Sequence, residues 1–223
     1  MSVEPHFYPV DREAISQMLT ICERRHFEPK QVVMTPGDEG QSLFYVIDGS
    51  LSISTEDEEG RELILSYVNP GDFIGELGLF MKPREREVMV RTRSICQLAE
   101  VRYDRLREAL DDELKEYALE IMTAIGSKLA LRLLQARRKV LQLAFLDTQG
   151  RVAKAIMDLC DEPDAVSHPD GTMIRVTRQE LSRIVGCSRE MAGRVMKTLE
   201  EDGMLKASGK TIIVQGKYKG VAA

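Results

Sequence analysis

Histidine is scarce in this chain. There are three in 223 residues, and none between positions 27 and 104. A metal-dependent barrel enzyme of the cupin kind needs several converging His and carboxylate ligands, so no metal is expected. Cys22, Cys96, Cys160 and Cys187 lie far apart and form no C-x-x-C. That excludes a zinc site, an iron–sulfur clamp and a disulfide frame, and leaves reduced thiols. No apolar run approaches the length that spans a bilayer. The start, "MSVEPHFYPV", lacks the basic-then-apolar pattern of a signal peptide. No Ser/His/Asp or Cys/His constellation is visible. The expectation is a cytoplasmic protein that is not an enzyme and requires no cofactor.

Charge is plentiful but uneven. The whole chain carries −5. Residues 1–170 hold 21 Lys+Arg against 31 Asp+Glu, while residues 171–223 hold 10 against 5. An acidic body with a basic end points to a polyanion partner for the last part only.

Three patterns follow one another along the chain. After a short helix read over residues 5–18, the stretch from about 27 to 104 holds short strands at 43–54, 61–68, 87–93 and 96–103. Turns punctuate them: "TPGD", "DG", "EEG" and "NPGD". This spacing predicts an antiparallel barrel or jelly roll, and the repeated P-G-D hints at equivalent corners. From about 112 the period lengthens. Leu114, Ile121, Ile125, Leu129, Leu133, Ala136, Val140 and Leu143 form a helical seam. Without proline over 113–146, one helix of roughly 45–50 Å is expected. Its exposed seam asks for a second copy, as a parallel twofold dimer; the alternative buries the seam on its own barrel. "FLDTQGR" reads as a hinge broken by Gly150, followed by a helix over 151–161 and a polar loop, "DEPDAVSHPDG". The expected domains are 1–111, 112–147 and 148–223.

The segment 177–203, "TRQELSRIVGCSREMAGRVMKTLEEDG", carries most information. Thr177 and Glu180 make a capping box. Leu181, Ile184 and Val185 give the first helix an apolar face, and Gly186 permits a bend. Ser188 caps a second helix, 188–202, whose buried face is Met191, Val195, Met196 and Leu199; Gly203 stops it. This is a helix-turn-helix. Arg189, Glu190 and Arg194 lie exposed in the first turns, where such a helix enters the major groove. Arg suits guanine and Glu suits cytosine. "LKASGKTIIVQG" (205–216) reads as a hairpin, the wing of a winged helix. Lys206 and Lys210 read equally as phosphate contacts or as ordinary surface lysines, with Lys210 leaning toward contact.

These parts together resemble the CRP/FNR family of bacterial transcription regulators, most closely in "PGDFIGELGLF" (70–80), "LAFLD" (143–147) and 177–205. The resemblance implies an α+β fold: an N-terminal antiparallel β jelly roll of the cyclic-nucleotide-binding type, a long dimerisation helix and a C-terminal winged helix-turn-helix. It implies a homodimer on palindromic double-stranded DNA. Arg189, Glu190 and Arg194 match the base-reading positions; Thr177, Arg178, Gln179, Ser188 and Lys210 match positions on the DNA backbone. Ser167 and His168 fall in the loop that contacts RNA polymerase. The family's effector set maps to Gly75, Glu76, Leu77, Arg86 and Glu87, with Ala136 and Arg137 from the long helix.

Two of those positions depart from the pattern for cyclic AMP. Glu87 stands where a small hydroxyl residue follows the arginine, and a carboxylate beside a phosphodiester repels it. Ala136-Arg137 replaces the Thr-Ser pair that meets adenine. The run "REVMVRTRSICQLAE" instead resembles the CAP-like (Clp) branch, which implies cyclic di-GMP as an effector that releases DNA, although Ala136-Arg137 departs from that branch too. Reduced or absent cyclic AMP dependence, cyclic di-GMP control and ordinary cyclic AMP activation stand in that order. From the residues alone, a Glu76–Arg86 ion pair bracing the barrel stands ahead of a ligand site. The rival functions are a sensor acting through protein contacts alone and a cupin-like barrel enzyme. Oxygen sensing of the FNR kind needs an N-terminal cysteine cluster that is not in this sequence.

Overall fold

The computed structural model describes residues 10–81 and 85–215. The start of the helix read over 5–18 and the last residue of the hairpin read over 205–216 lie outside them. The chain divides into two units, Met1–Thr55 with Ser66–Ala136, and Glu56–Leu65 with Arg137–Ala223.

The first unit opens with α1 (Arg12–Thr20), capped by the Asp11 carboxylate accepting from the Glu13 N–H at 2.8 Å. Strands β1 (Glu23–Phe27), β2 (Val32–Met34), β3 (Ser42–Asp48), β4 (Leu51–Glu56), β5 (Glu62–Val68), β6 (Phe73–Ile74), β7 (Met89–Thr92) and β8 (Cys96–Arg102) follow, with the short helix α2 (Leu77–Phe80) after β6. They form two four-stranded sheets, β1-β8-β3-β6 and β2-β7-β4-β5. Eight strands in two sheets, with antiparallel pairing, make a jelly roll.

Both P-G-D corners are built alike. Gly37 and Gly71 each have φ 90°, as a type II turn requires after proline. The Asp38 carboxylate accepts from the Thr35 N–H at 2.8 Å, and Asp72 from Asn69 at 2.9 Å.

In sheet β1-β8-β3-β6 the strands β8, β3 and β6 are buried on both sides, which explains their near-continuous apolar runs, while the edge strand β1 is polar and mostly exposed. Phe44, Val46, Ile74, Cys96 and Leu98 face the barrel interior with Leu51, Ile53 and Val90. Leu43, Phe73, Val101 and Tyr103 face a second cluster with Met18 of α1, Leu106 of α3 (Tyr103–Asp111), and Ile121 and Ile125 of α4 (Ala118–Phe145).

The apolar seam read along the long helix therefore divides. Leu114, Ile121 and Ile125 are buried in their own unit, whereas Leu133, Val140 and Leu143 are 72%, 63% and 48% exposed. Leu119, Leu133 and Val140 occupy a seven-residue repeat, in which Gly126 has nothing within 4 Å of where a Cβ would sit. The helix is shorter than expected, because residues 115–117 form a separate 3₁₀ turn.

In the second unit, α5 (Thr148–Leu159) begins at an Asp147 cap whose carboxylate accepts from the Gly150 N–H at 2.7 Å. Gly150 thus sits inside the first turn of α5. The helix break falls at Leu146-Asp147 instead, because the aspartate competes for the N–H groups that open the next helix. The expected polar loop is partly sheet: β9 (Val166–His168) pairs with β10 (Gly171–Arg175). Then come α6 (Arg178–Val185), α7 (Arg189–Glu201), β11 (Leu205–Ser208) and β12 (Thr211–Gln215), in a sheet ordered β11-β12-β10-β9. Val152, Ile156, Leu181, Val185, Val195, Leu199 and Ile212 fill the core.

Candidate functional site

The α6–α7 pair is built by side-chain caps. Thr177 Oγ1 accepts from the Glu180 N–H at 3.0 Å, and Ser188 Oγ from the Met191 N–H at 3.2 Å. Between them Gly186 ends α6 in the left-handed conformation, φ 67°. The carbonyls at that end are not left bare. Lys139 Nζ donates to Ile184 O at 2.6 Å and to Ile64 O at 2.9 Å, and Arg151 Nε donates to Val185 O at 3.3 Å. Burial pushes the Lys139 ammonium below its ordinary pKa.

The buried face of α7 is Ala192, Val195, Met196 and Leu199. Met191, expected in that face, is only half-buried, and Arg194 Nη2 lies 3.9 Å from its sulfur. Ala192 takes the inner position instead, fully buried.

Opposite that face lies a groove of about 550 Å³ lined by Arg178, Arg189, Glu190, Arg194 and Lys197. A neighbouring one of about 330 Å³ adds Thr177, Gln179, Gly209 and Lys210. Arg178, Arg189, Arg194 and Lys210 are exposed and take part in no ion pair with a described residue. Lys206 differs, since Asp170 lies 3.9 Å from it. Arg178 lies against α7 at Gly193, where a Cβ would make an ordinary contact 3.5 Å from Arg178 Cδ. Ser188 is exposed at the start of α7. Ser167 and His168 lie in β9, Ser167 exposed and His168 half-buried, with His168 Nδ1 accepting from the Asp170 N–H at 3.2 Å.

The barrel has a second polar site. Glu76 is 4% exposed, and a carboxylate so buried needs a cation. Arg132 of α4 supplies it, Nη1 donating to Glu76 Oε1 while Nη2 donates to Phe73 O at 2.6 Å. One turn earlier on α4, Lys128 pairs with Asp72 at 2.6 Å. The expected alternative, a Glu76–Arg86 pair, does not form. Arg86 donates to Ser42 O at 2.8 Å and to the Tyr103 hydroxyl at 3.0 Å. Its guanidinium fits between Gly40 and Gly75, where a Cβ would come within 2.8 Å and 2.9 Å of it. Burial raises the Tyr103 phenol, whose O–H donates to Gly75 O. Leu77 and Glu87 are exposed, as are Ala136 and Arg137 on α4.

The residues that sequence reading missed here are Arg132, Tyr103 and Ser42. Arg132 carried a signal: it stands one helical turn before Ala136 and four residues after Lys128, matching the spacing of Asp72 and Glu76. Ser42 acts through its backbone carbonyl, which leaves no mark in a sequence.

A family model described as a cyclic nucleotide-binding domain matches residues 24–113, and one described as a Crp-like helix-turn-helix domain matches residues 150–217. The CRP-like protein Clp of Xanthomonas euvesicatoria pv. vesicatoria is 48% identical over 207 residues, covering 93% of this chain and 90% of the relative. Among solved structures, the c-di-GMP responsive global regulator CLP of Xanthomonas campestris superposes with a TM-score of 0.88 at 48% identity, covering 92% of this chain and 100% of that one. A CRP/FNR-family transcriptional regulator of Thermus thermophilus, TTHA1359, gives a TM-score of 0.76 at 25% identity, covering 90% and 98%. Among the described residues no cluster of His, Cys, Asp or Glu could hold a metal ion, and no helix is long and apolar enough to cross a membrane.

Proposed function

The chain belongs to the CRP/FNR family of transcription regulators, and from that premise we propose that it acts as a homodimer on a palindromic DNA site. In this reading α7 enters the major groove, with Arg189, Glu190 and Arg194 on base edges. Thr177, Arg178, Gln179, Ser188 and Lys210 hold phosphates on either side. The observation that carries it is the convergence of four exposed cations without ion-pair partners among the described residues on one face of α6, α7 and the wing. The apolar stripe of α4 supports a second copy as the partner. Residues 1–111 form the effector domain, 112–147 the dimerising segment and 148–223 the DNA-binding domain. Ser167 on the exposed β9 hairpin, with His168 behind it, is the contact for RNA polymerase.

Cyclic AMP is not needed in this reading. Glu76 and Arg86 are already held by groups of the same chain, and Glu87 and Ala136-Arg137 remove the partners that adenine and its phosphate would use. Cyclic di-GMP is the effector, acting to release DNA; the responsiveness of the Xanthomonas campestris relative supports it.

Binding of a selected duplex with half-sites about one helical turn apart, followed across a salt series, tests the DNA assignment. Binding should weaken steeply with salt. Arg189→Ala or Arg194→Ala should each relax discrimination at one base pair by about 1–3 kcal/mol. Unchanged selectivity in both variants would rule out α7 as the reading helix. Calorimetry with cyclic AMP and with cyclic di-GMP, with and without the duplex, tests the effector through the sign of coupling.

A further inference from the structure

β11 is the outer strand of its sheet. An edge strand leaves outward backbone N–H groups without ladder partners. Ala207, opposite Ile212, donates its N–H to the Glu200 carboxylate of α7 at 2.9 Å. Glu200 is exposed and lines both grooves on the DNA-facing side, among Arg178, Arg189, Arg194 and Lys210.

A carboxylate on that face repels a polyanion, so it weakens binding unless it does something else. What it does is visible in the geometry. It joins the C-terminal part of the reading helix to the strand that leads, three residues on, to Lys210. Ser208 pairs with Thr211, so Gly209 and Lys210 are the two-residue tip of the hairpin, and Gly209 has φ 63°. The hairpin is also held by the pairing of β12 with β10 and by Lys210 O, which accepts from the Val176 N–H at 3.0 Å; the Glu200 bond adds a side-chain tie between its outer strand and α7. A charged acceptor makes the bond stronger than a neutral one would.

We propose that Glu200 is a positioning residue for DNA binding, locking the wing to the reading helix so that Lys210 reaches a backbone phosphate while α7 occupies the groove. This rests on the DNA-reading assignment above and deepens it.

The test uses the full-length protein and its selected duplex in a salt series, with hydrogen exchange at the Ala207 amide as a readout independent of DNA. Glu200→Ala should speed that exchange and lower the salt slope by about 0.9 per protomer, the share of one phosphate contact. Lys210→Ala should lower the slope by the same amount and leave the Ala207 amide protected. The double variant should lose no more slope than either single one. Glu200→Gln keeps an oxygen acceptor, so it should retain the wild-type slope and bind at least as tightly. A wild-type slope in Glu200→Ala, additive losses in the double variant, or an unchanged slope in Lys210→Ala would each overturn the proposal. Lys210→Ala alters only an exposed side chain, so it stays decisive even if Glu200→Ala folds poorly. If the wild-type protein binds no duplex in a salt-dependent way, the DNA-reading assignment itself falls and takes this inference with it.

Discussion

In the barrel pocket Glu76 and Arg86 are held by groups of the same chain, whereas Arg189 and Arg194 on α7 stand exposed without an ion-pair partner among the described residues. The difference follows from solvent. A buried ion with no partner costs several kcal/mol, so Glu76 takes Arg132 and Arg86 takes a carbonyl and a hydroxyl. An exposed guanidinium is hydrated and can wait for an external anion at little cost to stability. Charge in the first region is therefore structural, and charge in the second is available.

That contrast can be broken most forcefully at Arg132. Arg132→Ala leaves the Glu76 carboxylate buried without its cation and should destabilise the first unit by about 3–5 kcal/mol in denaturant titration. Adding Glu76→Gln should recover most of the loss. Arg189→Ala should stay within about 0.5 kcal/mol of wild type in the same titration, while changing DNA selectivity. Equal losses at both arginines would end the distinction.

Gly78 sharpens it from the packing side. A Cβ at Gly78 would lie 2.5 Å from the Tyr103 ring, and Tyr103 holds Arg86. Gly78→Ala should cost about 1–3 kcal/mol and shift the Tyr103 ring resonances in NMR spectra. Ser188→Ala removes the cap of α7 and should cost about 1 kcal/mol, read as a lower melting temperature of the second unit with the first unit unchanged.

Another effect is confined to alkali. Burial pushes the Cys22 thiol from 9.0 up to about 11. Between those values the unfolded chain loses the proton first, so stability falls as pH rises through that window and is unaffected below it. Cys22→Ala should flatten this part of the pH–stability curve without changing the curve at neutral pH.

Most of the second unit was legible in the sequence because its signals are local. Thr177, Gly186, Ser188 and Gly203 act within a few residues of their own positions, and α7 runs from Arg189 to Glu201 as its caps dictate. The P-G-D corners were legible for the same reason. β9 and β10 were not, because a short strand in a polar stretch is settled by its partner: β10 pairs with β12, about forty residues away. Gly150 misled because glycine breaks helices in general, while Asp147 had the stronger local role.

The pocket in the barrel was half legible. Glu76, Arg86 and Gly75 were found as a set, but their partners Ser42, Tyr103 and Arg132 come from distant segments, and of these only Arg132 carried a spacing signal. The long helix shows the same division. Periodicity marks its apolar stripe but cannot say which part faces the same chain. Ile121 and Ile125 are buried in the first unit, whereas Leu133 and Val140 are exposed.

The sequence by itself determined the caps, the turns, the cations of α7 and the order of barrel, helix and winged head, because each depends on interactions between near neighbours. Only the tertiary structure decided that Arg132 neutralises Glu76, that Arg86 rests on Ser42 and Tyr103, and that Glu200 meets Ala207. Those pairings arise when folding excludes water from a charge or leaves a strand edge open, and the nearest available partner then depends on the packing of the chain.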